Sequence, residues 1–386
     1  LGVRMEVSST KQDARIETRQ HGRLHVVSLS RPDHREFFVT LAGRGAETPS
    51  PIQPGAFDDL AAWLRAENAR VLSMEVLGIP PGNGTLRRAF DDAFGAPSWP
   101  LLWVDDGNGE RSGLGGVQIW ALAGLPVEPI YRDGAAIGTI FEDEDARYCR
   151  LSGIAPTDIS APPEAQSEGV FESIRELLAK ADMDFSHVVR TWFYNRAITS
   201  WYKEFNAVRD RRFRQWNVFD GLVPASTGVG GHNAAGAALV AGALAIEPKH
   251  GATRAFAVPS PLQCPALEYG SSFSRAVEVA CPDHRRLFVS GTASISADGA
   301  TLHTGDVGKQ VECTMKVVEA ILESRGMTWA DTTRAIAYFK HAGDAPAFAR
   351  YAQRHELPEL PVLVMPNDIC RDDLLFELEL DAVALP

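Results

Sequence analysis

Residues 148–156 (YCRLSGIAP) and 286–294 (RLFVSGTAS) read as two versions of one strand, and the segments after them are also alike. Gln166 and Gln310 each open a helical pattern, with Phe171, Ile174, Leu177 and Leu178 on one face of the first and Val317, Val318, Ile321 and Leu322 on one face of the second. This i, i+3, i+4 spacing is that of a half-buried helix. Met183 and Phe185 then match Met327 and Trp329, and Arg190 and Tyr194 match Arg334 and Tyr338, at a constant spacing of 144 residues. A second helical pattern comes next in each copy (Trp201, Tyr202, Phe205 and Val208; Phe348, Tyr351 and Ala352), then a proline-marked strand and a closing strand. Such a repeat restricts the chain to stacked copies of one supersecondary unit. Each copy reads β-β-α-β-α-β-β, an α+β sheet with helices on one face. Two such sheets cannot each leave an apolar face in water, so the copies pack together and their junction is the natural place for a cleft.

The expected division is an N-terminal domain over residues 1–250, with residues 1–135 adding strands to its sheet, and a C-terminal domain over 260–386. Residues 37–41, 56–64 and 71–76 of the first hundred carry strand and helix patterns. Residues 82–85 (GNGT) and 105–116 read as turn and loop. The first 20 residues carry charges without an apolar core and read as a frayed lead rather than a secretory signal.

A net charge of -12 argues against a general nucleic-acid or anionic-membrane binder, since both require a basic footprint. No window approaches 18 consecutive apolar residues, so no membrane span is expected. Five scattered cysteines without a CxxC pair and ten histidines without an HExxH give no disulfide framework and no catalytic metal site. A reduced, cytoplasmic protein without cofactor is the expectation.

Among candidate functional residues Glu377 leads. In residues 374–380 (LLFELEL) it shares a strand face with Glu379, whereas the matching strand of the other copy (238–246, ALVAGALAI) has no acid. Carboxylates kept in one of two copies point to one working site, although a solvated face would look the same. A carboxyl in a partly apolar cleft has a raised pKa and can act as a general acid near neutrality. Arg190 and Arg209, each among apolar neighbours, are candidate carboxylate forks; Arg211 and Arg212 read as a solvated helix end. Residues 224–236 lack the spacing and the lysine of a phosphate loop. They read as a tight turn or as a substrate-facing loop offering hydroxyls and N–H groups. Cys370 is either a nucleophile or a small buried residue.

At these residues the second copy resembles a YjgF/RidA domain, through 288–291 (FVSG), Gly305, Asp306, Gln310 and 375–379 (LFELE). More closely, residues 135–385 resemble the chorismatases, two-domain members of that superfamily. The resemblance rests on 190–194 (RTWFY), 201–209 (WYKEFNAVR), 224–230 (PASTGVG), 269–275 (YGSSFSR), 303–306 (HTGD) and 368–377 (DICRDDLLFE). It implies two RidA-like domains and hydrolysis of chorismate to pyruvate and a hydroxybenzoate or dihydrodiol. Glu377 would protonate the enolpyruvyl methylene. Arg190, Arg209 and Arg275 are the candidates to hold the carboxylates, and Tyr194, Tyr202, Tyr269, Ser226, Thr227 and Gly230 would line the pocket. Cys370 resembles the cysteine of members that release 3-hydroxybenzoate. The chain departs from the family within 269–273, which lacks the usual arginine and prolines. The expected partner is a small aromatic or cyclohexadiene carboxylate, bound by a monomer or a homo-oligomer, a trimer among the options. Two other activities fit the superfamily: an imine or enamine deaminase, whose anion-anchoring arginine is replaced here by Val362, and a non-catalytic aromatic-acid-binding protein.

Overall fold

The computed structural model describes residues 14–43, 51–80, 82, 84–107 and 113–386. It contains three sheet-plus-helices units. The first unit comprises β1 (Arg15–His21), β2 (Leu24–Ser30), β3 (Arg35–Ala42), α1 (Gly55–Ala66), β4 (Arg70–Leu77), α2 (Gly84–Phe94), β5 (Leu101–Asp105) and β6 (Gly116–Ala123). The second comprises β7 (Glu128–Arg132), β8 (Ala135–Glu142), β9 (Ala146–Ile154), α3 (Pro163–Ala179), β10 (Val188–Asn195), α4 (Tyr202–Gln215), β11 (Ala225–Gly230), β12 (His232–Asn233) and β13 (Leu239–Pro248). The third runs through β14 (Arg254–Val258), β15 (Ala276–Ala280), β16 (Arg285–Ala293), α5 (Val307–Ser324), β17 (Thr332–Phe339), α6 (Pro346–Arg354), β18 (Val362–Pro366) and β19 (Phe376–Ala384).

The strand orders are β1-β2-β3-β6-β4-β5-β12, β11-β10-β13-β9-β8-β7 and β14-β15-β16-β19-β17-β18. The α+β class and the repeated unit are as the sequence implies, with two corrections. Each unit has three strands before its first helix, not two. Residues 15–123 do not extend the second unit's sheet; apart from the short β12 they make a sheet of their own. Residues 15–20, read as part of a frayed lead, pair with β2 across its full length; residues 1–13 lie outside the described residues. The third unit begins at Arg254, because β14 pairs with β15.

The same bulge marks all three units, between Val71 and Ser73, Val188 and Arg190, and Thr332 and Arg334. It places Ser73 and Leu77 where the other copies have Arg190/Tyr194 and Arg334/Tyr338. The first copy lost the two residues that made the repeat visible. The repeat glutamines do equal work. Gln310 Oε1 accepts from Leu375 N at 2.7 Å and Gln166 Oε1 from Ala238 N at 2.7 Å, tying each helix start to the closing strand's entrance.

Each pair of helices covers one face of its own sheet, giving three separate outer cores. The opposite faces meet in a fourth core shared by all three units. The ring closes because β5 lies against β9, β11 against β16 and β18 against β3. Burying a sheet face against two neighbours removes it from water without helices, which is why apolar runs such as 239–246 carry no polar alternation.

Ion pairs inside the ring fix how the units meet. Arg31 of the first unit donates to Asp143 and Asp145 of the second and to Asp283 of the third. Arg286 forks onto Glu36, and its charge holds that carboxyl well below the usual range although burial opposes it. At the centre Arg150, Arg190 and Arg334 surround the Trp192 ring at 4.1, 4.9 and 5.5 Å, and are balanced by Glu75, Glu379 and Asp381. Such buried networks fix register, since a misplaced unit would strand a charge in a dry interior.

Candidate active site

The candidate site lies where the second unit meets the third. β19 pairs with both β16 and β17, so the strand face bearing Glu377, Glu379 and Asp381 turns into the ring. Glu377 stands at the β11–β16 junction, only 5% exposed. Its carboxyl lies over Gly291 of the β16 bulge so closely that a Cβ built there would sit 2.0 Å from Oε1. Thr227 of β11 accepts from Gly291 N at 3.0 Å and from Arg190 Nη2 at 2.7 Å, joining the two units at that point.

Among the described residues Glu377 has no hydrogen-bond or ion-pair partner. Burial first, and then the charge of Glu379, push its carboxyl up to about 8, with Arg190 opposing. Glu379 goes the other way. Burial disfavours its charge, but Arg334 and Arg190 donate to its two oxygens at 2.8 and 2.9 Å and hold it below the usual range. Two carboxyls on one strand face are thus driven apart, one proton-bearing and one ionised, which is the division of labour a general acid requires.

The wall towards solvent comes from α4 and the loop before β19. Tyr202 lies over β11 at Gly228 and beside Cys370, whose thiol is pushed up to about 12 by burial and by Glu377. At neutral pH Cys370 is a thiol, so it shapes the pocket and is no ready nucleophile. Gly230 lets this loop close on β11: its N–H donates to Asp368 O at 2.7 Å, its carbonyl accepts from Asn367, and a Cβ would meet Asn367 Oδ1 at 2.8 Å.

Two buried guanidinium groups flank the Phe273 ring, Arg209 of α4 at 5.8 Å and Arg275 of the third unit at 5.7 Å. Arg209 donates to Asn206 Oδ1 at 2.7 Å and has Ser226 Oγ at 3.5 Å; Arg275 donates to Cys264 O at 2.9 Å. Beyond Tyr202 an open cleft of about 700 Å³ is lined by Asn206, Asp210, Ser271, Ser272 and Arg371 among others.

The structure therefore gathers Glu377, Cys370, Tyr202, Arg209, Ser226, Thr227, Gly230 and Arg275 around one junction. Arg190 is nearby but wholly buried and engaged by Glu379 and Thr227. Tyr194 lies in the shared inner core, beside Tyr338 and the Glu379–Arg334 pair. Tyr269 ends the turn Ala266–Tyr269, and its side chain is outside what the structure describes. Residues 225–230 form a strand, not a turn, so their hydroxyls are fixed by the ladder with β10. Arg211 and Arg212 are not merely solvated: both pair with Glu168 of α3. Val362 lines a different cleft, between the third and first units. The position equivalent to it on the second unit is Ser226, as the parallel registers of β10 with β11 and β17 with β18 require.

Sequence reasoning missed Gly291, Phe273 and Asn206 as site residues. The FVSG motif at 288–291 was the available signal for Gly291. At the junctions with the first unit the position of Glu377 is held by Gly116 on β6 and Val240 on β13, and a Cβ on Gly116 would lie 2.6 Å from Leu363 Cδ2. One of the three junctions keeps an acid. Among the described residues no three His, Cys, Asp or Glu are grouped to hold a metal ion, and no helix is long and apolar enough to cross a membrane.

No family model matches the chain. It is 26% identical over 270 residues to a chorismatase of Streptomyces hygroscopicus, covering 64% of this chain and 71% of that protein. It is 25% identical over 225 residues to a 3-hydroxybenzoate synthase of the same organism, covering 51% of this chain and 64% of the relative. The crystal structure of a chorismatase has the same fold, with a TM-score of 0.61 at 19% identity over 81% of this chain and 93% of that one.

Proposed function

From this kinship in sequence and fold with the chorismatases, we propose that the chain hydrolyses the enolpyruvyl ether of chorismate, releasing pyruvate and a hydroxylated ring acid. The observation that carries the reading is the buried Glu377 carboxyl, without a hydrogen-bond partner, at a junction that also holds Arg209 and Arg275. Protonation of the enol-ether methylene by Glu377 makes an oxocarbenium ion. Water adds to its carbon, and the resulting hemiketal expels the ring oxygen as a hydroxyl and leaves pyruvate. Protonating carbon demands an acid that still holds its proton near neutrality, which a carboxyl pushed up to about 8 supplies.

Arg209 and Arg275, from two units, suit a ligand with two carboxylates, and guanidinium forks bind carboxylates in two-point geometry. Phe273 between them offers a face for a six-membered ring. Arg190 acts at one remove, through Thr227. Of the ring products 3-hydroxybenzoate is favoured, because Cys370 stands in the DICRDDLLFE segment and one relative is a 3-hydroxybenzoate synthase. To reach it, the diol freed by hydrolysis loses one water, its second ring hydroxyl leaving with a ring proton as the ring becomes aromatic. The groups around Glu377 all come from one chain, so this reading needs no partner subunit.

Incubation of the purified protein with chorismate should release pyruvate and a hydroxylated acid in equal amounts, and Glu377→Gln should abolish release. Absence of pyruvate from folded protein, or full turnover by the variant, would reject the reading.

A further inference from the structure

We propose that Glu379 is a positioning residue for this reaction: a permanently ionised carboxylate, clamped by Arg190 and Arg334, whose charge keeps the proton on Glu377. The inference deepens the proposed function and rests on it for the role of Glu377. Its basis is an asymmetry between neighbours. Glu377 and Glu379 are two residues apart on one strand, hence on one face and roughly 7 Å apart. Both are at least 95% buried. Glu379 receives one guanidinium on each oxygen, from β10 of the second unit at 2.9 Å and β17 of the third at 2.8 Å. Glu377 receives none.

Residues satisfied in this way do not titrate near neutrality, so Glu379 presents a fixed negative charge. The groups facing Glu377 from the elements packed on it are Thr227 on β11, Gly291 on β16, Arg190 on β10, Tyr202 on α4 and Cys370 in the loop before β19. Arg190 is the one cation among them, and its Nη2 is engaged by Glu379 and Thr227. The balance of charge felt by Glu377 is therefore set by the clamp behind it. With an effective dielectric constant of about 20, one charge roughly 7 Å away moves a carboxyl by roughly one to two pH units. The equivalent positions on the other closing strands are Gln118 on β6 and Gly242 on β13, so of the three closing strands the one that bears the acid also bears a clamped carboxylate at this position.

The test is the pH dependence of kcat/KM with chorismate, alongside infrared titration of the protonated carboxyl band that is lost in Glu377→Gln. Glu379→Gln keeps the shape and removes the charge. Its alkaline limb should fall by about one pH unit, so that activity near pH 8.5 drops about tenfold against wild type while activity near pH 6 changes little. Arg190→Gln removes the opposing charge and should move the limb and the infrared midpoint upward. Opposite displacements are something a purely structural role would not produce. Arg190→Gln also carries the test if Glu379→Gln does not fold. An unmoved midpoint in folded variants overturns the proposal. If chorismate is not a substrate but the infrared midpoint moves as stated, the clamp stands and the reading of the reaction falls.

Discussion

Replacing Gly291 by alanine adds one methyl group at the point where the acid lies on the strand. The new Cβ would be 2.0 Å from Glu377 Oε1 and 3.0 Å from its carboxyl carbon, with Thr227 Cγ2 at 3.3 Å, whereas ordinary contact begins at 3.4 Å. The carboxyl must therefore retreat by more than 1 Å, a lower bound taken from the 2.0 and 3.4 Å figures. It can do so, because it is the far end of a flexible side chain with no hydrogen bond holding it. The cost to stability should stay within about 1 kcal/mol, as for a mild overpacking. Catalysis has no such latitude: a displacement of about 1 Å at a reacting group costs on the order of 100-fold. Gly291→Ala should then keep its melting temperature within a few degrees and lose about two orders of magnitude in kcat, measured by pyruvate release. A folded Gly291→Ala enzyme with wild-type kcat would refute the placement of Glu377 over the bulge.

The same geometry sets four further outcomes. Activity needs the proton on Glu377, so kcat/KM should fall as pH rises through about 8. Because the folded-state carboxyl binds its proton more tightly than the ordinary value of 4.5, its contribution to stability is complete below that pH and is lost as pH rises to about 8. Glu377→Gln should therefore flatten that loss in melting curves recorded at pH 5 and pH 9, and an unchanged slope would contradict it. Gly230→Ala, whose Cβ would strike Asn367 and Asp368 at 2.8 Å, should cost about 1–3 kcal/mol in denaturant titrations and weaken activity by moving the Cys370 loop. Arg286→Ala leaves Glu36 buried without its fork and should cost about 3–5 kcal/mol; a loss below 1 kcal/mol would mean that the first and third units are not joined there.

How much could be read from the chain depended on whether a residue's role was set locally. The glutamines, the helix faces and the Arg/Tyr strands of the second and third units announced themselves because both copies kept them. The first unit stayed hidden since Ser73 and Leu77 replaced the marker pair, and a sheet needs only buried apolar faces, not those markers, to form. Alternation on 374–380 placed Glu377 and Glu379 on one face, and the contrast with 238–246 singled that face out. The resemblance singled out Glu377, but nothing in the sequence told the charge states of the two acids apart.

That distinction belongs to the tertiary structure alone. Local sequence determines which way a side chain points from its strand, because the pleat alternates with every residue. The charge state of that side chain depends on what other parts of the chain bring to it. Arg190 and Arg334 reach Glu379 from strands 189 and 45 residues away, while Gly291 brings bare backbone to Glu377. For the same reason Arg190, Tyr194 and Val362, similar in local setting to their counterparts, are assigned to the inner core or to another cleft only when three sheets close into a ring. Strand direction is a short-range property of the backbone, whereas burial and electrostatic pairing are set by neighbours that only folding brings together.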